Sequence, residues 1–324
     1  ENSISTLISD GVLLLHDGGY REQVPNGKYR ADYYHARPIV RRGLLRETAS
    51  VYEFLHDDGH HRPMQTERID FRTFSEVEFS RTRAQDLHTG YTHDRVVIYL
   101  KRLNWFIVVD SILLTQEGPY SVSNLFFTHE ITFSGTTGSS GGWFDTRIGA
   151  MRGYEPADPN RRLLVSYLGQ DNAWQGSEPV QRYYRDEVLM HQSLSGRATR
   201  GHRQGFCTAL IPHCVTVDPQ ADAGALAASV TMAPVSRPGE AVALHVRHAE
   251  ESVTLGVKLD LEAATRFEDV RPRQDWDSGH TQYGDWETDA NFLYGRQGAD
   301  GPHWAWTEAT RLRYGDEELF QGPV

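Results

Sequence analysis

A carboxylate and two imidazoles bracket one loop near the start of this chain. Asp17 follows His16 at the end of the apolar run Val12 to Leu15, and His35 stands just before a second run, Pro38 to Val40. Between them lie the glycine pair Gly18 and Gly19, a loop carrying Pro25, Asn26 and Gly27, and the tyrosines Tyr20, Tyr29, Tyr33 and Tyr34. A carboxylate with an imidazole is a donor set that suits zinc, given a third ligand. Asp17 and His35 are therefore the candidate metal ligands. A plainer reading fits the same residues: an Asp that satisfies turn amides, and a His at a polar sheet edge.

The tyrosines offer a second chemistry. A phenol acts as general acid or base when a neighbouring cation or hydrogen bond tunes its pKa, and aromatic rings stack on the apolar faces of sugars. Tyrosine also fits any half-buried strand. Arg37, Arg41, Arg42 and Arg46 follow His35 directly. Such a cluster draws an acidic ligand, or it is a charged strand edge that discourages edge pairing. The cations are unusual as a set. Only Lys28, Lys101 and Lys258 are lysine, which leaves thirty arginines among 33 basic residues. Arginine grips carboxylates and sulfates in bidentate fashion better than lysine does.

The elements that position these groups read as strands. Residues 69–79, IDFRTFSEVEF, alternate apolar and polar with the period of a half-buried strand. Residues 95–100 and 105–114 form a hairpin turning at Lys101 to Asn104, and residues 122–133 continue the pattern. A glycine-serine loop is expected at 134–142. Further strands are expected at 163–168, 187–193, 205–211, 227–233, 241–247 and 252–260, with a terminal hairpin in the last twenty residues. The one helix-like stretch is 219–228. This spacing predicts an all-β chain, a large antiparallel β-sandwich of stacked sheets with a smaller C-terminal β region. A division at Pro234 to Gly239 gives residues 1–235 as the sandwich and 236–324 as the region packed on it.

The totals exclude several classes. The chain has 324 residues, 39% hydrophobic and 24% charged, which is globular rather than disordered composition. A formal charge of −11 argues against a nucleic-acid or anionic-membrane binder. No apolar run approaches the roughly 20 residues of a membrane span. Cys207 and Cys214 are seven apart, and in a strand they face opposite sides, so two buried free thiols are expected, with a disulfide across a turn as the alternative. HDDGHH at 56–61 reads as a polar turn, because a tight turn seldom converges four side chains on a metal. No phosphate loop, nucleophile elbow or dinucleotide fingerprint is present. The opening ENSISTLISDG is already patterned and lacks an initiating Met, as expected of a segment cut from something longer.

The segments GVLLLHDGGY and YYHARPIV, then HDRVVIYLKRLNWFIVVDSILL, GFCTALIPH, TDANFLYGR and TRLRYGDEELF, resemble the C-terminal β-sandwich of the heparinase II/III-like polysaccharide lyases. The resemblance implies a structural zinc held by two His and one Asp, with Asp17 and His35 at two of the ligand positions and the remaining His upstream of residue 1. It implies an N-terminal α/α toroid, absent here, that carries the principal catalytic residues and closes the substrate cleft. It further implies β-elimination on a uronic acid, with Tyr34 and its neighbour Tyr33 as the catalytic candidates and Arg37, Tyr29 and Arg41 as substrate-binding candidates. The family often has Asn after the later His, where this chain has Ala36. On this reading the partner is an acidic polysaccharide, the location is periplasmic or secreted, and the isolated chain is inactive. A non-catalytic carbohydrate-binding or structural sandwich is the alternative.

Overall fold

The computed structural model describes residues 2–16, 32–56, 64–137, 141–151, 153–182, 185–259, 262–264, 273–275, 280–298, 301–307 and 309–321. Asp17, Tyr20, Tyr29 and most of the HDDGHH stretch lie outside the described residues. Within them the chain is built almost wholly of strands. The first half contains β1 (Thr6–Ser9), β2 (Val12–His16), β3 (Pro38–Arg42), β4 (Gln65–Thr73), β5 (Val77–Asp86), β6 (Tyr91–Leu100), β7 (Trp105–Leu114), β8 (Gly118–Thr128), β9 (Glu130–Thr137) and β10 (Gly141–Arg147). Then come β11 (Arg161–Tyr167), β12 (Trp174–Arg182), β13 (Arg185–Ala198), β14 (Arg203–Cys214), β15 (Val230–Ala233), β16 (Ala241–His248) and β17 (Glu251–Lys258). The chain ends with β18 (Glu262–Ala264), β19 (Arg273–Asp275), β20 (Thr281–Tyr283), β21 (Trp286–Thr288), β22 (Phe292–Gly298), β23 (Gly301–Trp306), β24 (Arg311–Tyr314) and β25 (Glu317–Gln321).

Four antiparallel sheets stack as layers. An eight-stranded sheet of order β4-β5-β6-β7-β14-β11-β10-β9 is central. One face packs on the four-stranded sheet β12-β13-β8-β3, through Ile112, Leu114 and Phe206 against Val40, Val122 and Leu194. The β1–β2 hairpin closes the same side, with Leu14 and Leu15 in one cluster with Phe126, Met190 and Val108. The other face packs on the five-stranded sheet β15-β16-β17-β22-β23, where Ile107, Val109 and Ile211 share a core with Val246, Leu255 and Phe292. That sheet in turn covers β20-β21-β24-β25 through Ala243 and Leu293 against Trp286 and Leu312. Because both faces of the central sheet are covered, β7 is buried along nearly its whole length rather than alternating, polar Asp110 and Ser111 included.

The β6–β7 hairpin turns at residues 101–104 as the sequence predicts. So does the helix over 219–228, α2 in the fold, which is capped by the Asp218 side chain at Ala221 N–H with Pro219 in its first turn. Four strand expectations need correction. Residues 69–79 are not one strand: the chain reverses at residues 74–76, where Phe74 N–H donates to Val77 O at 2.9 Å. Residues 122–133 break at His129, where the chain leaves the four-stranded sheet as β8 and joins the edge of the central one as β9. The expected loop at 134–142 belongs largely to β9 and β10, which pair as a hairpin. In 227–233 only the last four residues are strand, since α2 extends to Ala228. A further short helix, α1 (Val51–Leu55), is capped by Ser50 Oγ accepting from Glu53 N–H at 3.1 Å. Both cysteines are free thiols, Cys207 buried and Cys214 exposed.

Candidate functional site

Segment 32–37 carries most of the sequence-predicted site residues and is bolted down through its backbone. Ala36 O accepts from Arg95 Nη1 at 2.7 Å and from Ile4 N–H at 3.3 Å, and Arg37 O accepts from Leu125 N–H at 3.2 Å. Arg95 is itself held on Asp110, through Nε at 2.7 Å and Nη2 at 3.0 Å, and His93 Nε2 lies 2.7 Å from the same carboxylate. Burial opposes charge on Asp110, but Arg95 and His93 outweigh it and hold the carboxyl down at about 2. A charged anchor inside the sandwich thus fixes the chain on either side of Ala36.

Asp32 to Tyr34 form one 3-10 turn. Arg41 closes it from below, donating to both Asp32 oxygens at 2.8 and 2.6 Å and to Leu55 O at 2.8 Å. The turn presents an aromatic cluster on the outer face of the four-stranded sheet. Tyr33 contacts Tyr34, Tyr52 and His56 with ring centroids 4.9, 5.8 and 5.4 Å away. Tyr52 OH donates to Tyr34 OH at 3.2 Å, and Tyr52 N–H donates to Glu178 Oε1 at 2.6 Å. Tyr33 is fully buried, Tyr34 nearly so, Tyr52 and Glu178 are half-buried, and His56 is exposed. Two phenols in hydrogen-bond contact beside a carboxylate can relay a proton and present hydroxyls to a sugar.

The predicted residues do not all converge. Tyr33, Tyr34 and Arg41 meet around Asp32. Arg37 points elsewhere: its guanidinium lies against Met64 Sδ at 3.4 Å and donates to Tyr91 OH at 3.3 Å, at 1% exposure. Burial pushes the Tyr91 phenol up to about 12, so it stays protonated. His35 is buried, with its N–H donating to Asp32 O at 3.2 Å. Asp17 and Tyr29 lie outside the described residues.

A second cluster brings together residues that sequence reasoning did not join. His16 ends β2, His129 is the corner between β8 and β9, and Glu187 lies in β13. His16 Nε2 is 3.1 Å from His129 Nε2 and 3.8 Å from Glu187 Oε1. Gly149 N–H donates to His129 Nδ1 at 3.1 Å. These three side chains could hold a metal ion. Their separation in sequence, 113 residues between the two histidines, hides them from any spacing rule. The one local signal is a histidine inside the apolar run LFFTHEITF.

The fold is a layered antiparallel β-sandwich. A solved structure of heparinase III superposes with a TM-score of 0.52 at 13% identity, over 78% of this chain and 35% of that one. Heparan sulfate lyase HepC from Pedobacter heparinus, in a mutant form, gives 0.49 at 12% identity over 78% and 36%, and the BT4657 heparinase III gives 0.49 at 13% over 76% and 34%. The chain therefore spans about a third of the length of these structures. No protein-family model and no curated protein sequence matches it. Among the described residues no helix is long and apolar enough to cross a membrane.

Proposed function

We propose that this chain is the sandwich part of a polysaccharide lyase that cleaves uronic-acid-containing glycans by β-elimination. The observation that carries the reading is the shared fold with heparinase III, with the Tyr33–Tyr34–His35 segment fixed at the sheet face. In the reaction a base removes the proton at C5 of the uronate, its electrons form the C4–C5 double bond, the C4–O4 bond breaks, and O4 takes up a proton. In this reading Tyr34 supplies or receives a proton, and Tyr52 orients its hydroxyl. Tyr33, fully buried, acts through Tyr34. Arg41 serves by holding Asp32 and the turn, and Arg37 by holding Tyr91 beneath it; Tyr29 is the further substrate-binding candidate.

A structural zinc on Asp17, His35 and a histidine upstream of residue 1 belongs to the same reading. The buried imidazole of His35 suits such a site, and the ion would brace the cleft wall. The principal acid–base residues then reside in an N-terminal α/α toroid, and the protein works in the periplasm or outside the cell, where its glycan is. Residues 1–235 form the sandwich proper and 236–324 the region packed on it. The test is incubation of uronate polymers with the chain alone and with a version extended upstream. Ultraviolet absorbance from unsaturated products is expected only from the extended form. Robust turnover by residues 1–324 alone, or binding without product by both, overturns the assignment. The second outcome favours a non-catalytic carbohydrate-binding module.

A further inference from the structure

We propose that His16, His129 and Glu187 form a zinc-class divalent cation site that pins the corner where the chain passes from the four-stranded sheet to the central sheet. The site contains neither Asp17 nor His35 and stands whether or not the chain is part of a lyase. Three observations carry it. The first is donor chemistry: two imidazoles and a carboxylate, with a fourth position open, is a ligand set that zinc accepts. The second is spacing. Two ligands 2.0–2.1 Å from one tetrahedral ion stand about 3.3 Å apart, and the His16–His129 and His16–Glu187 separations of 3.1 and 3.8 Å bracket that value. The third is burial. The Glu187 side chain is 1% exposed, so an ion held there would be largely shielded from water and its ligand field fixed by the protein. His16, at 14%, keeps a path to solvent.

The placement explains what the ion would do. Val188 pairs with Thr128, so Glu187 and His129 are next in line on neighbouring strands. His16 arrives from the separate β1–β2 hairpin. The ligands thus come from two bodies of chain: Glu187 and His129 stand at the end of the β13–β8 pairing, and His16 comes from the β1–β2 hairpin. A cation there ties the hairpin to the sheet corner and fixes the end of β2.

Without metal, the Gly149 N–H bond to Nδ1 makes His129 the Nε2–H tautomer, donating to His16. Coordination through Nε2 moves that proton to Nδ1, so the Gly149 contact must open. Gly149 lies in residues 148–150, which form no strand and can yield.

The experiment uses the full 324-residue chain, stripped with a chelator and titrated with zinc and with cobalt(II) as a spectroscopic probe. One equivalent should bind, with intense visible cobalt bands of a four- or five-coordinate site, two hyperfine-shifted imidazole N–H signals, and faster amide exchange at Gly149. His129→Ala and Glu187→Gln should each weaken zinc affinity by at least about 100-fold. Circular dichroism checks that they fold, and the cobalt spectrum of the unaltered chain gives a reading if they do not. Asp17→Asn should leave this equivalent in place. Binding lost in Asp17→Asn but intact in His129→Ala and Glu187→Gln would sink the proposal and leave the Asp17–His35 zinc standing. No bound cobalt, or an unmoved Gly149 amide, would overturn it equally.

Discussion

At the scale of single residues, the tyrosine pair is where chemistry and geometry meet. Tyr34 OH receives a hydrogen bond from Tyr52, and Tyr34 retains only slight exposure, so the role proposed for it rests on the hydroxyl rather than the ring. Tyr34→Phe in the extended protein should lower kcat by 10²–10³-fold, the order of magnitude for losing general acid–base help, with KM changed less than about threefold. Equal loss in both parameters would make Tyr34 a wall residue. Tyr52→Phe removes the donor but not the acceptor and should cost less. The Tyr33–Tyr34 pair was legible in sequence because it sits beside a strand start and a histidine. Tyr52 was not, since it lies 18 residues on and reaches Tyr34 only because a short helix folds back over the sheet.

Strands and turns show why the rest was harder to read. Alternation over residues 69–79 marks strand on both sides of a turn, since it records which side of a strand is buried. It does not record a reversal made without Gly or Pro, so IDFRTFSEVEF ran through the turn at residues 74–76 unbroken. The outer face of the four-stranded sheet has its own hidden device. His191 in β13 stands opposite Gly176 in β12. Ser193 Oγ donates to Ser123 Oγ at 2.8 Å and lies 2.9 Å from His191 Nδ1, so Nδ1 carries the proton and Nε2 faces Gly176. A methyl at Gly176 would sit 2.7 Å from that Nε2, so Gly176→Ala should destabilise by about 1–3 kcal/mol in urea unfolding. Burial lowers His191 to about 4. The unfolded chain protonates this residue near 6.5, so its contribution is complete above that pH and is lost as pH falls from 6.5 to 4, by up to about 3 kcal/mol. His191→Gln should flatten unfolding free energy across that window. An unchanged slope would assign it to other groups, such as His93, which burial also lowers.

Across the whole molecule, the central sheet carries a charge cluster on each face, and each cluster reaches a backbone carbonyl of the adjoining layer. On one side Arg81 and Arg83 share Asp94, with Arg81 Nε at 3.0 Å and Arg83 Nε at 2.5 Å, and Arg81 Nη1 donates to Lys258 O at 2.7 Å. On the other, His93, Arg95 and Asp110 hold Ala36 O. These are ties between layers that hydrophobic packing alone would leave free to slide, and no local pattern in the sequence announces them, because each partner reads as an ordinary polar residue in an alternating strand. Asp110 is the tie whose loss reaches the tyrosine turn. Asp110→Ala leaves Arg95 buried without its carboxylate and should cost about 3–5 kcal/mol. It should also reduce any turnover in the extended protein by loosening segment 32–37. The pH dependence separates this tie from His191. Asp110 titrates at about 2 folded and near 3.9 unfolded, so its stabilisation is complete above about pH 4 and drains away as pH falls through 2. Acid unfolding followed between pH 4 and pH 2 should therefore be steep in the unaltered chain and shallower in Asp110→Ala. A loss under about 1 kcal/mol with the acid slope unchanged would mean that the layers are held by their cores alone and that Arg95 reaches Ala36 without Asp110 to fix it.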